Sequence, residues 1–246
     1  MSVAGRARLD VELVRRGLAR SRGQAAELIA TGQVRVDGRP ARRASQPAGA
    51  DMPLEVTADP WVSRGAHKLL GALDDSGVAV PERVLDAGAS TGGFTQVLLA
   101  RGARRVYAVD VGHGQLADEL RCDPRVEVRE GRHVRDLTLD DVGGTPAGLA
   151  VADLSFISLR RVLAPLLAVL SADATALLLV KPQFEVGRER LGAGGVVRSE
   201  ALRREAVDGV AATAGTLGWC EAWRGPSRLP GPAGNVEWFL ALRCRS

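Results

Sequence analysis

The chain has 246 residues, 46% of them hydrophobic, enough for one full-sized core with a smaller module beside it. Its three cysteines, Cys122, Cys220 and Cys244, lie far apart without metal-ligand spacing, so neither a disulfide framework nor a bound metal is expected, and each reads as a buried thiol of a reducing, cytoplasmic protein. The net charge of +4 is mild but uneven: ten arginines meet only four acids within residues 1–43, which points that stretch toward a polyanion and leaves the rest slightly acidic.

Leu9, Leu13 and Val14 recur at helical spacing up to Gly17. Ser21 and Gln24 form a capping-box pattern ahead of Ala25, Leu28 and Ile29, so a second short helix is expected there. Gly32 stops it, Val34-Arg35-Val36 alternates, and Asp37-Gly38 signals a hairpin turn. Residues 47–60, with three prolines and little helical pattern, read as a linker or terminal strand. The expected organisation is an RNA-gripping module over residues 1–58, a linker over 59–64 and a larger domain over 65–246. The pattern Ala19-Arg20-Ser21-Arg22 followed by Gly32-Gln33-Val34-Arg35-Val36-Asp37-Gly38 resembles the RNA-binding domain named after ribosomal protein S-four, across about residues 6–56. The resemblance implies that Arg6, Arg8, Arg20, Arg22 and Arg35, joined by Arg64 further on, face RNA phosphates.

Arg83-Val84-Leu85-Asp86 is a buried-strand pattern leading into Ala87-Gly88-Ala89-Ser90-Thr91-Gly92-Gly93-Phe94-Thr95 and then a helix at Val97-Leu98-Leu99. A second strand, Arg105–Val109, ends in Asp110-Val111, where a carboxylate is placed to bind vicinal ribose hydroxyls. The dinucleotide fingerprint is Gly-x-Gly-x-x-Gly, whereas Asp86-x-Gly88-x-x-x-Gly92 sets a carboxylate beside the loop, which repels a pyrophosphate and tolerates an ammonium. S-adenosylmethionine is therefore preferred to NAD, with Asp86, Gly88 to Phe94, Asp110, Val111 and Asp153 as its contacts. Further strands near 126–129, 149–153, 176–180, 220–224 and 236–242, with helices between several of them, describe an α/β doubly wound, Rossmann-like sheet.

The chain holds 31 arginines and only two lysines, Lys68 and Lys181. Guanidinium stays protonated where a buried amine can lose its proton, so retaining lysine at two places marks both as catalytic candidates. Lys181 closes the apolar run Leu177–Val180, and Asp153 closes Ala150–Ala152. The longest apolar runs, Val162–Leu170 and Ala174–Val180, are far shorter than the roughly 18 residues a membrane span needs.

Four segments, Trp61-Val62-Ser63-Arg64-Gly65-x-x-Lys68-Leu69, Asp86–Thr95, Asp153-Leu154-Ser155-Phe156-Ile157-Ser158 and Lys181-Pro182-Gln183-Phe184-Glu185-Val186-Gly187, resemble the TlyA family over nearly the whole chain. That family joins the RNA-binding domain to an FtsJ-like methyltransferase fold and methylates cytidine 2′-hydroxyls in ribosomal RNA. Some members have been labelled haemolysins. The resemblance implies a catalytic tetrad of Lys68, Asp153, Lys181 and Glu237. A ribose hydroxyl must lose its proton as it attacks, which makes Lys181 the candidate base, with the charge of Lys68 acting on it and the two acids holding amines and ribose in line. Ribosomal subunits are the implied partner, with large-subunit RNA as the main target and small-subunit RNA as a second one, and the protein is expected to act as a monomer. Two readings compete with this: a methyltransferase for another RNA, and a non-catalytic RNA-binding or ribosome-assembly factor. For Glu237 the alternation Asn235–Phe239 also allows a solvent-facing position on an edge strand. The stretch Gly187–Gly195, with four glycines, reads as a mobile loop able to close over RNA.

Overall fold

A computed structural model describes residues 7–19, 21–57 and 59–245. The chain separates into two compact units, Met1–Pro60 and Trp61–Ser246. Of the arginines assigned to RNA, Arg6 and Arg20 lie outside the described residues.

The N-terminal unit runs β1 (Ala7–Arg8), α1 (Leu9–Arg15), α2 (Arg22–Ala30), β2 (Val34–Val36), β3 (Arg39–Pro40), β4 (Pro47–Ala48) and β5 (Leu54–Val56). The Ser21 hydroxyl accepts from the Gln24 amide at 3.2 Å, the side-chain half of the expected cap. Between β2 and β3 the chain turns at Asp37 and Gly38, both left-handed (φ 51° and 73°), which matches the twist of a two-residue hairpin. The helix pair buries Leu9, Leu13, Ala25 and Ile29 against Val34 and Val36 of the hairpin. Two acids of α1, Asp10 and Glu12, are buried along with this small core.

The larger unit opens with α3 (Arg64–Ser76) and continues β6 (Arg83–Ala87), α4 (Gly93–Ala100), β7 (Arg105–Asp110), α5 (Asp118–Arg121), β8 (Val126–Glu130), β9 (Ala147–Ala152), α6 (Leu163–Ala168), β10 (Leu170–Val180), α7 (Pro182–Glu185), α8 (Glu200–Thr216), β11 (Trp219–Pro226) and β12 (Trp238–Cys244). One seven-stranded sheet results, in the order β11-β12-β10-β9-β6-β7-β8. β8 through β10 run parallel, and β12 inserts antiparallel between β10 and β11. Strand alternation explains its two covered faces. Leu85, Ala87, Tyr107 and Val109 pack with α6 and α8 residues such as Leu163, Leu166 and Val210, while Val84, Val106 and Ala108 pack with Leu69 of α3 and Val97 and Leu98 of α4. Order reverses between β6 and β9, and the crevice beyond their C-terminal ends is where such sheets take ligands.

Two expectations need correction. The fifth strand of the larger unit begins at Leu170, six residues before the expected start at Ala176, because Leu170 already pairs with Ala147 of β9 ahead of an irregularity that shifts the register before Thr175. The cysteines are not core thiols: Cys122 is exposed at the end of α5, and Cys220 and Cys244 are half-buried in the two strands farthest along that side of the sheet.

Candidate active site

The loop from β6 to α4 is shaped by close approach. Gly88 has φ 85°, and a side chain there would place its Cβ 2.7 Å from the carbonyl oxygen of Asp153 on the adjoining strand. Gly92 caps α4 at φ 98°, where a Cβ would run into the Leu120 side chain. Between them Ser90 adopts φ 48°, unusual for a residue with a side chain, and its amide donates to Asp110 Oδ2 at 2.9 Å. The other Asp110 oxygen accepts from the Gly112 amide at 2.7 Å, so this carboxylate ties the two loops together.

Asp86 sits on the α4 side of β6, in register with the apolar Val84, and is fully buried. Thr95 Oγ1 donates to its Oδ2 at 2.6 Å, and Oδ1 has no partner among the described residues. Burial, with the negative charge of Asp153 nearby, pushes this carboxyl up to about 7 despite the Thr95 bond. An orphaned, buried carboxylate oxygen beside a glycine loop fits a ligand that carries an ammonium group, as the amino-acid end of S-adenosylmethionine does.

Beyond the loop is a cavity of about 580 Å³ whose wall includes Gly88, Ser90, Asp110, Val111, Asp153, Ser155 and Phe156. Val111 is 64% exposed and offers an apolar surface next to the Asp110 carboxylate. Other residues assigned to the cofactor are not part of this wall: Ala89, Gly92 and Gly93 are buried, Phe94 stacks on Phe239 in the core at 6.2 Å, and Thr91 is exposed. His133 also lines the cavity, with Nδ1 accepting from the Arg135 amide at 3.4 Å.

The four tetrad residues form two close pairs. Lys181 Nζ lies 2.7 Å from Asp153 Oδ1, a charge contact outside hydrogen-bond alignment, and donates a hydrogen bond to Ser155 Oγ at 2.7 Å. Lys68 Nζ, from α3, donates to Glu237 Oε2 at 2.6 Å, and both side chains are almost wholly buried. Register relates the pairs: Val180 faces Trp238 across β10 and β12, so Lys181 and Glu237 meet one position beyond the ladder. Glu237 therefore precedes an interior strand and is 1% exposed, which removes the solvent-facing alternative. A turn packs against it, since a Cβ on Gly231 would come within 2.5 Å of Glu237 Oε1. Each amine has its own carboxylate, so the charge of Lys68 is answered by Glu237 before it reaches Lys181.

Sequence reasoning missed Phe156 and Phe184 as a pair. Phe156 is 92% exposed and left-handed at φ 63°, a costly state for an aromatic residue, and its ring lies 5.4 Å from that of Phe184. Both line a second cavity, of about 740 Å³, that shares Phe156 and Ile157 with the first and includes Arg160, Arg161 and Gln183. The only local signal was an aromatic residue three positions after Asp153 and three after Lys181. Glu185 was quoted in a motif without a role. It is buried and accepts from Ser158 Oγ (2.6 Å), the Leu159 amide (2.7 Å) and Arg160 Nε (3.2 Å), binding the turn after β9 to α7 after β10. Burial raises its carboxyl above the usual range, against those three donors. The glycine-rich stretch is pinned at its far end, where buried Asn235 accepts from the Val197 amide at 2.9 Å and donates to the Gly195 carbonyl at 3.1 Å.

In the N-terminal unit, Arg8 donates twice to Asp10 at 3.0 Å and Arg22 joins the same carboxylate, while Arg35 reaches the Gly38 carbonyl at 3.2 Å. Arg39, Arg42 and Arg43, not singled out from the sequence, line a cavity of about 720 Å³ there.

A parallel sheet with one inserted antiparallel strand, a glycine loop at the reversal of strand order and two lysine–carboxylate pairs around the strand ends define an S-adenosylmethionine-type methyltransferase domain. Known proteins agree: residues 61–244 match the family model for the FtsJ-like methyltransferase, and residues 7–52 that for the S4 domain. The 16S/23S rRNA (cytidine-2′-O)-methyltransferase TlyA of Mycobacterium tuberculosis is 56% identical, across 99% of this chain and 92% of its own. The 23S rRNA (cytidine-2′-O)-methyltransferase TlyA of Campylobacter jejuni is 35% identical, across 76% of this chain and 72% of its own. A Streptococcus thermophilus structure described as a hemolysin superposes with a TM-score of 0.76 at 34% identity, covering 99% of this chain and 90% of the other. The chain belongs to the TlyA family. Among the described residues no helix is long and apolar enough to cross a membrane.

Proposed function

We propose that this protein transfers a methyl group from S-adenosylmethionine to the 2′-hydroxyl of a cytidine in ribosomal RNA, in the cytoplasm. The observation that carries this reading is the two lysine–carboxylate contacts at the ends of β9, β10 and β12, one buried and one opening on the cavity, beside a glycine loop that hides an unpartnered carboxylate oxygen. A ribose hydroxyl attacks poorly while it keeps its proton, so a positioned base is the chemistry the site has to supply.

When bound, S-adenosylmethionine supplies a methyl group activated by positive sulfur. Asp86 Oδ1 is suited to its ammonium, Asp110 to its ribose and Val111 to its base. Lys181 enters the cycle as a free amine and takes the 2′-hydroxyl proton, and Asp153 offsets the ammonium that results. Lys68 and Glu237, closed off from solvent, brace the floor next to Lys181. Phe156 and Phe184 offer an aromatic surface to the acceptor base, and Arg160 and Arg161 a positive rim to the phosphates. The S4 unit contributes affinity through Arg8, Arg22 and the Arg39–Arg43 face, with Arg64 at the start of the catalytic unit.

Both named relatives act on large-subunit RNA by their names, and the more similar one also on small-subunit RNA. Large-subunit RNA is accordingly the first target and small-subunit RNA the second. Mapping 2′-O-methylcytidine in both RNAs, from cells with and without the protein, tests the substrate. Lys181→Arg tests the chemistry: it is expected to fold and bind cofactor while methyl transfer falls by about 100-fold or more, and near-normal transfer would remove Lys181 from the role of base.

A further inference from the structure

We propose that Ser155 is a positioning residue for this reaction: its hydroxyl sets the direction in which the Lys181 amine meets the acceptor hydroxyl. The inference rests on Lys181 being the base.

Ala152 pairs with Leu178 on the adjacent parallel strands β9 and β10. Carried three places further, that register sets Ser155 across from Lys181, where the two are found 2.7 Å apart. Asp153 is equally close to the amine, but its contact lacks hydrogen-bond alignment. A contact of that kind limits where the nitrogen sits and leaves it free to spin about the Cε–Nζ bond. A hydrogen bond does not. With one N–H committed to Ser155, the amine stops rotating and its lone pair keeps a single heading. A general base depends on that heading as much as on its position, because proton transfer is confined to a narrow cone around the donor–acceptor line. Ser155 is well placed for this, being exposed on the wall of the cofactor cavity while Lys181 is only 9% exposed behind it. The left-handed turn at Phe156 then carries the chain away immediately after the hydroxyl. The proton released by the acceptor becomes the third hydrogen of the Lys181 ammonium and leaves to solvent before the next turnover.

The test compares full-length wild type, Ser155→Ala, Ser155→Thr and Lys181→Arg, using ribosomal subunits and isotopically labelled S-adenosylmethionine. A second readout comes from composition: with two lysines in the chain, protein labelled at lysine 13Cε gives two signals, and Lys181→Arg assigns them. Ser155→Ala is expected to keep cofactor affinity and KM, lose about 10- to 100-fold in kcat, and reach half-maximal rate at lower pH because the ammonium has lost an acceptor. Its Lys181 signal moves and its Lys68 signal stays. Ser155→Thr, which keeps the hydroxyl, regains most of the rate. Wild-type kcat and pH profile in Ser155→Ala, or a threonine variant as slow as the alanine one, overturns the proposal and leaves the base assignment standing. An active Lys181→Arg overturns both.

Discussion

Buried carboxylates occur in both units, and they have opposite fates. In the S4 unit Asp10 and Glu12 are 3% and 2% exposed, yet each meets arginines, Arg8 and Arg22 for the first and Arg15 and Arg16 for the second. The guanidinium hydrogen bonds hold both carboxyls down at about 2. Asp86 in the catalytic unit is more deeply buried, meets Thr95 and no cation among the described residues, and rises to about 7. Glu237, like the S4 acids, has a cation from its own chain, because Lys68 donates to it. The contrast shows that burial alone does not decide the charge of an acid. A buried carboxylate given a cation by the chain is structural, and one left without is reserved for a cation that arrives with a ligand.

Moving Glu237 across that divide is the most severe way to test the contrast. Lys68→Met leaves it buried without a cation, and loss of about 3–5 kcal/mol is expected on calorimetry of the full chain, with much of the loss recovered in Lys68→Met/Glu237→Gln. If the single variant melts like wild type, the pair does not carry the stability assigned to it. Next in size is Asp86→Asn. The folded-state carboxyl is raised, so wild-type stability declines as pH climbs from about 4 to about 7 and is lowest above that, by about 4 kcal/mol. The asparagine variant should melt higher than wild type at pH 8, with the gap closing toward pH 5, while its affinity for S-adenosylmethionine drops about 100-fold by titration calorimetry. Wild-type affinity should itself weaken by about tenfold per unit below pH 7, since Asp86 must shed its proton to meet the ammonium; a flat profile would show that another group holds it. Smallest is the acid limb of the S4 unit. Asp10 and Glu12 are depressed, so their contribution is complete above about pH 4.5 and fades toward pH 2. Asp10→Asn/Glu12→Gln should flatten that limb by a few degrees in melting temperature, and an unchanged slope would place the acid sensitivity elsewhere.

Much of the architecture was legible because it is written in local periods. Val84, Asp86 and the glycines spell strand, loop and helix, Asp37-Gly38 spells a hairpin, and the two lysines stood out against 31 arginines. What stayed hidden depends on neighbours distant in the chain. Nothing near Glu237 says that β12 lies inside the sheet and not at its edge, since strand order is set by the crossovers. Phe156 gives no hint of its left-handed backbone, because that turn is imposed by the surrounding contacts. Arginine counting found the basic module but could not tell guanidiniums tied to Asp10 or Glu12 from those lining the groove at Arg39, Arg42 and Arg43. The cysteines were misplaced for a related reason: their wide spacing argues against a disulfide or a metal but does not say how deep each one lies.

Glu185 has a mechanical consequence. By gripping the turn that follows Asp153 while standing four residues beyond Lys181, it works as a spar between the two arms that carry the proposed acid and amine. A docking substrate that pushes on one arm must drag the other along, so the spacing between acid and amine survives the jolt of each encounter.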